Sequence, residues 1–102
     1  MEVVINSCYG GFSLSEEVYK ELGLKWDGFG YIDNEDLGIK SDNWKAYRAD
    51  KQLIKAIKKV GLDKASGKHA ELEIIEIPND VEWTIEEYDG VESIHEKHRV
   101  WG

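Results

Sequence analysis

The chain contains one cysteine, one proline and one methionine among its 102 residues. A single thiol excludes an intramolecular disulfide framework and any zinc site built on a CxxC pair. It also suits a reducing compartment. No apolar run approaches the length of a membrane span. The start, MEVVINSCYGG, lacks the basic segment and long apolar stretch of a signal peptide. These absences predict a cytoplasmic protein with no membrane partner. No internal repeat, low-complexity tract or linker divides the chain, so residues 1–102 are expected to form one domain.

Basic residues are also scarce. There are 13 of them against 21 acidic side chains, a net charge of −8. Residues 1–39 carry 2 basic and 8 acidic groups, residues 40–70 carry 9 and 3, and residues 71–96 carry none and 10. The total disfavours general nucleic-acid binding, which needs phosphates neutralised by Lys and Arg. A small anionic ligand, held locally by the basic middle or by backbone N–H groups, remains compatible. Hydrophobic residues make up 41% of the chain and Trp, Tyr and Phe supply 11 rings, which is a globular composition.

Glu2–Asn6 reads as a strand, and Val3-Val4-Ile5 is too continuously apolar for an exposed edge. The turn CYGGFS follows. Ser13 or Ser15 is placed to N-cap a helix, and Ser13 with Glu16 has capping-box spacing. Leu14, Val18 and Leu22 share one face of that helix, and Gly23 stops it. Residues 25–45 mix Gly, Asp and Asn with aromatics, and suggest a short strand at Phe29–Ile32 within a loop. Asp50 N-caps the clearest helix, KQLIKAIKKVG, with Leu53, Ile54, Ile57 and Val60 inward and Lys51, Lys55, Lys58 and Lys59 outward. KASGK is a turn. AELEIIEIP alternates into a strand, Val81–Glu86 into another, and Asp89-Gly90 signals a type I′ hairpin whose return strand is Val91–His95. Val100 and Trp101 are expected to tuck back onto the core. The order β-α-(β)-α-β-β-β predicts an α+β fold, two-layer, with two helices and a mostly antiparallel sheet.

Four constellations could carry chemistry. In the turn, Gly10 and Gly11 let the backbone approach a ligand, and a helix start offers N–H donors to an anion. It is neither a Walker loop nor a GxGxxG loop. The same residues serve equally as a tight strand-to-helix turn with Tyr9 and Phe12 packed inward. Cys8 is the one candidate for a catalytic nucleophile, and needs a base and an oxyanion site; a lone cysteine beside a strand also serves as a small buried hydrophobe. At the other end, HEKHR places His95 and His98 three apart, whereas the zincin motif needs four, so no metal site is assigned. His95, His98 and Arg99 are instead the cations of an acidic half, and Arg99 forks well onto phosphate. Trp26, Phe29, Tyr31, Trp44 and Tyr47 lie near Lys45 and Arg48, either as core or as plates for a base. The acidic run 71–96 is either a solvated sheet face or a mimic of a phosphate array.

Two strings, VVINSCYGGFSLS (residues 3–15) and EIPNDVEWTIEEYDGVESIHEKHRVW (residues 76–101), resemble a family of small proteins of tailed phages and prophages, as does RADKQLIKAIKKVG between them. The family brings no catalytic residues to carry over. The resemblance implies a small cytosolic protein made during infection. Among such proteins are inhibitors of host defence, and one class sequesters nucleotide immune signals as small oligomers. A homo-oligomer that binds an anionic nucleotide without catalysis and without a cofactor is the expectation. Its ligand residues would be Asn6, Cys8, Tyr9, Gly10, Gly11, Phe12, Ser13, His95, His98, Arg99 and Trp101. The alternatives are an acidic inhibitor that docks on a host defence enzyme, and a nucleotide-processing enzyme that uses Cys8 or a histidine.

Overall fold

The computed structural model describes residues 1–96 and 100–101, the last two by their backbone. The strands are β1 (Glu2–Asn6), β2 (Leu72–Glu76), β3 (Trp83–Tyr88), β4 (Val91–Glu96) and β5 (Val100–Trp101). The helices are α1 (Glu16–Leu22), α2 (Lys51–Val60) and the single turn α3 (Leu62–Ala65), with 3-10 turns at Glu35–Leu37 and Ala46–Ala49. The fold is α+β and every strand pairing is antiparallel. The strands divide into two sheets, β1-β2 and β3-β4-β5.

The β1-β2 pair lies between the helices and the second sheet. In register, Val4 faces Ile74 and Val3 faces Ile75. Val4, Leu72 and Ile74 pack with Leu14, Val18, Leu53, Ile54 and Ile57 of the helical side. Val3, Ile5, Ile75 and Ile77 pack with Ile85 and Ile94 of the second sheet. A strand covered on both faces has no use for alternation, which is why Val3-Val4-Ile5 is continuously apolar. Burying these three side chains contributes roughly 1.5–3 kcal/mol each.

The two main helices follow their local signals in part. Asp50 caps α2 by accepting from Leu53 N–H (3.0 Å). Gly23 ends α1 in the left-handed conformation. The expected Ser13–Glu16 capping box does not form. Ser15 is the N-cap and its hydroxyl makes no cap bond, while Ser13 is buried against Gly67, whose N–H donates to the Ser13 carbonyl (2.9 Å). At the hairpin, Asp89 and Gly90 both have positive φ (51° and 90°), as a type I′ turn requires.

The expected strand at Phe29–Ile32 is absent. Asp27 accepts from the N–H groups of Phe29 (2.8 Å), Gly30 (2.6 Å) and Tyr31 (3.1 Å), so this backbone bonds to a side chain instead of to a ladder. The donors outweigh partial desolvation and hold the Asp27 carboxyl below its usual value. The Tyr19 hydroxyl also donates to it (3.3 Å); burial, with this carboxylate beside it, pushes Tyr19 above the ordinary phenol range. No helix among the described residues is long and apolar enough to cross a membrane.

Candidate functional site

The turn after β1 is locked to two other segments by one buried side chain. Asn6 is 0% exposed. Its Nδ2 donates to the carbonyls of Cys8 (2.6 Å) and Gly90 (2.7 Å), and its Oδ1 accepts from Glu71 N–H (2.8 Å). The glycines are there for close approach. A Cβ at Gly10 would lie 1.6 Å from the His69 carbonyl oxygen, and one at Gly90 would lie 2.5 Å from that of Tyr9. Farther along, Leu14 N–H donates to Gly30 O (2.9 Å) and Ser15 N–H to Ala65 O (2.8 Å), so these two donors of the helix start are already taken.

Cys8 Sγ lies 3.1 Å from the His69 carbonyl and 3.4 Å from Asn6 Oδ1. His69 meets it through its backbone, and among the described residues no histidine ring is a hydrogen-bond partner of the thiol. A nucleophile needs a base at that position. Phe12 carries the Arg48 guanidinium 3.5 Å from its ring centroid and meets Tyr47 edge-on. Tyr9, read either as packed inward or as a ligand residue, is 76% exposed and shares a cavity of about 410 Å³ with Glu86, Glu87, Tyr88 and Val91. An anion placed there would face carboxylates. On β4, His95 Nε2 lies 2.7 Å from Ser93 Oγ and 3.5 Å from Glu86 Oε2. The structure brings together Asn6, Cys8, Tyr9, Gly10 and Gly11, while Phe12 packs on Arg48, Ser13 is buried against Gly67 and His95 bonds to Ser93; His98, Arg99 and the Trp101 side chain fall outside the described residues. Among the described residues, no group of three or more His, Cys, Asp or Glu could hold a metal ion.

Arg48, grouped above with the aromatics, and Glu92, one of the acidic run 71–96, are both internal. Arg48 and Glu92, each 3% exposed, form a two-point pair (Nη1–Oε1 2.6 Å, Nη2–Oε2 2.8 Å). Glu92 also accepts from Asn6 N–H (2.8 Å), and Lys45 Nζ is 3.7 Å from its Oε2. Glu92 therefore does not belong to an acidic outer face, and Arg48 is not a ligand cation. The aromatic group divides as well: Tyr47 is buried and Trp26 packs edge-on against Tyr19, whereas Phe29, Tyr31 and Trp44 (72% exposed) are outside.

A predominantly apolar groove of about 550 Å³ runs beside α2. Met1, Ala49 and Ile54 form its apolar part, and Lys51, Lys55, Lys58, Glu2, Glu76 and Asn79 its polar edge. Lys58 is committed to Glu2 (2.6 Å), and neighbouring Lys59 to Glu21 (3.1 Å). Lys51 and Lys55 are exposed and have no ion-pair partner among the described residues. Lys51 also opens the helix, whose first turn holds no acidic residue. A cation at the positive end of the dipole costs roughly 0.3–1 kcal/mol, partly offset by Asp50 beside it. Local placement against a simple rule is where function is to be sought. The sequence held a usable signal, lysines at i, i+4 and i+7 beside an inward isoleucine, but only the fold shows that β1 and the segment after β2 wall the groove.

Compared with known proteins, the chain matches no family model, no curated protein and no solved structure.

Proposed function

We propose that the chain is a phage-encoded binding protein of the infected cell's cytoplasm that sequesters a small anionic, nucleotide-type ligand without catalysing a reaction. One observation carries this reading. Lys51 and Lys55, unpaired among the described residues, border an apolar groove of about 550 Å³ in a protein of net charge −8. Such a groove holds a ligand with a charged head and a flat apolar body, the ring lying on Ala49 and Ile54 and the anion on the lysines. The phage origin rests on the two strings at residues 3–15 and 76–101. Exposed Tyr9, Phe29, Tyr31, Trp44 and Tyr88 supply apolar surface for a homo-oligomer.

The test is recovery of ligand. The protein is incubated with a panel of signalling nucleotides and filtered, then denatured, and the released molecules are identified. One nucleotide should be depleted and come back intact, and the protein should sediment above its monomer mass. A chemically altered product would make it an enzyme instead. No depletion of any nucleotide would remove the reading.

A second reading, an acidic inhibitor that docks on a basic surface of a host enzyme, is favoured by Trp44. Its exposed ring sits between a groove with Asp33 and Glu35 and another with Asp42 and Glu82. Lys45 Nζ lies 4.7 Å from the ring centroid and Lys40 lines the first groove, but four carboxylates flank the exposed ring, which suits a basic partner. In pull-downs from bacterial lysate, a specific partner should be lost with Trp44→Ala and with rising salt. Capture unaffected by either change would dismiss this reading.

A further inference from the structure

The α2 groove specifies more than charge. Resting on the reading that this groove takes a nucleotide-type anion, we propose that its ligand carries a diphosphate, one phosphate for each of Lys51 and Lys55.

The argument starts from which cations are free. Lys58 and Lys59 are already neutralised by Glu2 and Glu21, and the Met1 ammonium donates to the Ile77 carbonyl (2.6 Å) and to Asn79 Oδ1. Of the groove's cations, Lys51 and Lys55 are left without a partner among the described residues. They stand four residues apart on α2, one turn along the same face, with about 5–6 Å between their Cβ atoms. A like-charge pair at this spacing is mutually destabilising in the empty protein. Two negative charges spread along the ligand relieve it better than two on one phosphorus, because a phosphate seated at one lysine leaves the other lysine a full turn away.

The rest of the groove suits the body of such a molecule. Ile54 lies between the two lysines in sequence and, with Ala49, offers an aliphatic floor. The Glu76 carboxylate can accept from sugar hydroxyls, whereas it would repel a phosphate placed beside it. The acidic end of the groove is therefore the sugar end, and the lysine end holds the two phosphates.

Isothermal titration of the full chain with ADP, AMP, adenosine and inorganic pyrophosphate tests this, with amide NMR shifts to locate the site. ADP should bind about tenfold or more tightly than AMP, pyrophosphate should compete with it, and adenosine should not bind. Lys51→Gln and Lys55→Gln should each weaken ADP about tenfold and bring it level with AMP. Lys64→Gln, on the exposed side of α3, should leave ADP affinity unchanged. Thermal melts of these surface variants at or above the parent's exclude unfolding as the cause. AMP binding at this groove as tightly as ADP would overturn the diphosphate while leaving the anion-binding function standing. No binding of ADP or pyrophosphate at millimolar concentration would also overturn it, and the function itself falls only if the recovery assay is blank too.

Discussion

Arg48→Ala is expected to lower the unfolding free energy by about 3–5 kcal/mol. The reason is what remains rather than what is lost. Glu92 is 3% exposed and receives both Arg48 Nη groups. Without Arg48, a buried carboxylate keeps only Asn6 N–H and a Lys45 ammonium at 3.7 Å. For a domain whose whole stability is about 5–15 kcal/mol, that loss brings it near unfolding. Urea denaturation followed by tryptophan fluorescence measures it. The double change Arg48→Met with Glu92→Leu is expected to recover most of the loss, because two apolar groups of similar volume need no counter-ion. A loss below about 1 kcal/mol for Arg48→Ala would mean that the pair does not neutralise itself in this interior.

Asn6→Ala is the second large effect, with an expected loss of about 3 kcal/mol. The change deprives the Cys8 and Gly90 carbonyls and the Glu71 N–H of their partner, and each buried orphan costs about 1–3 kcal/mol before any water enters. Chemical denaturation gives the size, and amide hydrogen exchange at residues 8–12 and 88–91 locates it, since these two turns should open together. Ligand binding in the folded fraction should persist, because Asn6 does not line the α2 groove. If Asn6→Ala abolished ligand binding and left stability intact, the turn would be the ligand site and the groove would not.

Both residues were visible in the sequence, and neither role was. Asn6 had the look of a strand-end residue next to a glycine turn. Its four-way bonding depends on Glu71 and Gly90, which are 65 and 84 residues away. Arg48 and Glu92 each fell in a run of like charge, and nothing local indicates that two members of opposite runs meet inside the protein. The hairpin was legible because Asp-Gly demands positive φ whatever surrounds it. The Phe29–Ile32 segment misled for the opposite reason. Its aromatic and β-branched residues favour a strand, but Asp27 captures three of its N–H groups before any ladder can form.

What the sequence determined by itself was whatever depends on near neighbours. The buried stripe of α2, its Asp50 cap, the Gly23 stop, the type I′ turn and the antiparallel α+β class all follow from periods and turns a few residues long. Composition set the rest of that ledger: one thiol, no membrane-length helix, and a negative chain with a basic middle. The tertiary structure decided what depends on residues far apart. It divided the strands into two sheets, because β1 is apolar on both faces and needs cover on both. It took Arg48 and Glu92 inside, bound the glycine turn to the hairpin through Asn6, and left Tyr9 and Trp44 in solvent. Above all, it separated the lysines of one helix by their partners. Lys58 and Lys59 meet acids brought by β1 and α1, whereas Lys51 and Lys55 border the open groove without an ion-pair partner among the described residues, and no spacing in the sequence distinguishes the two pairs.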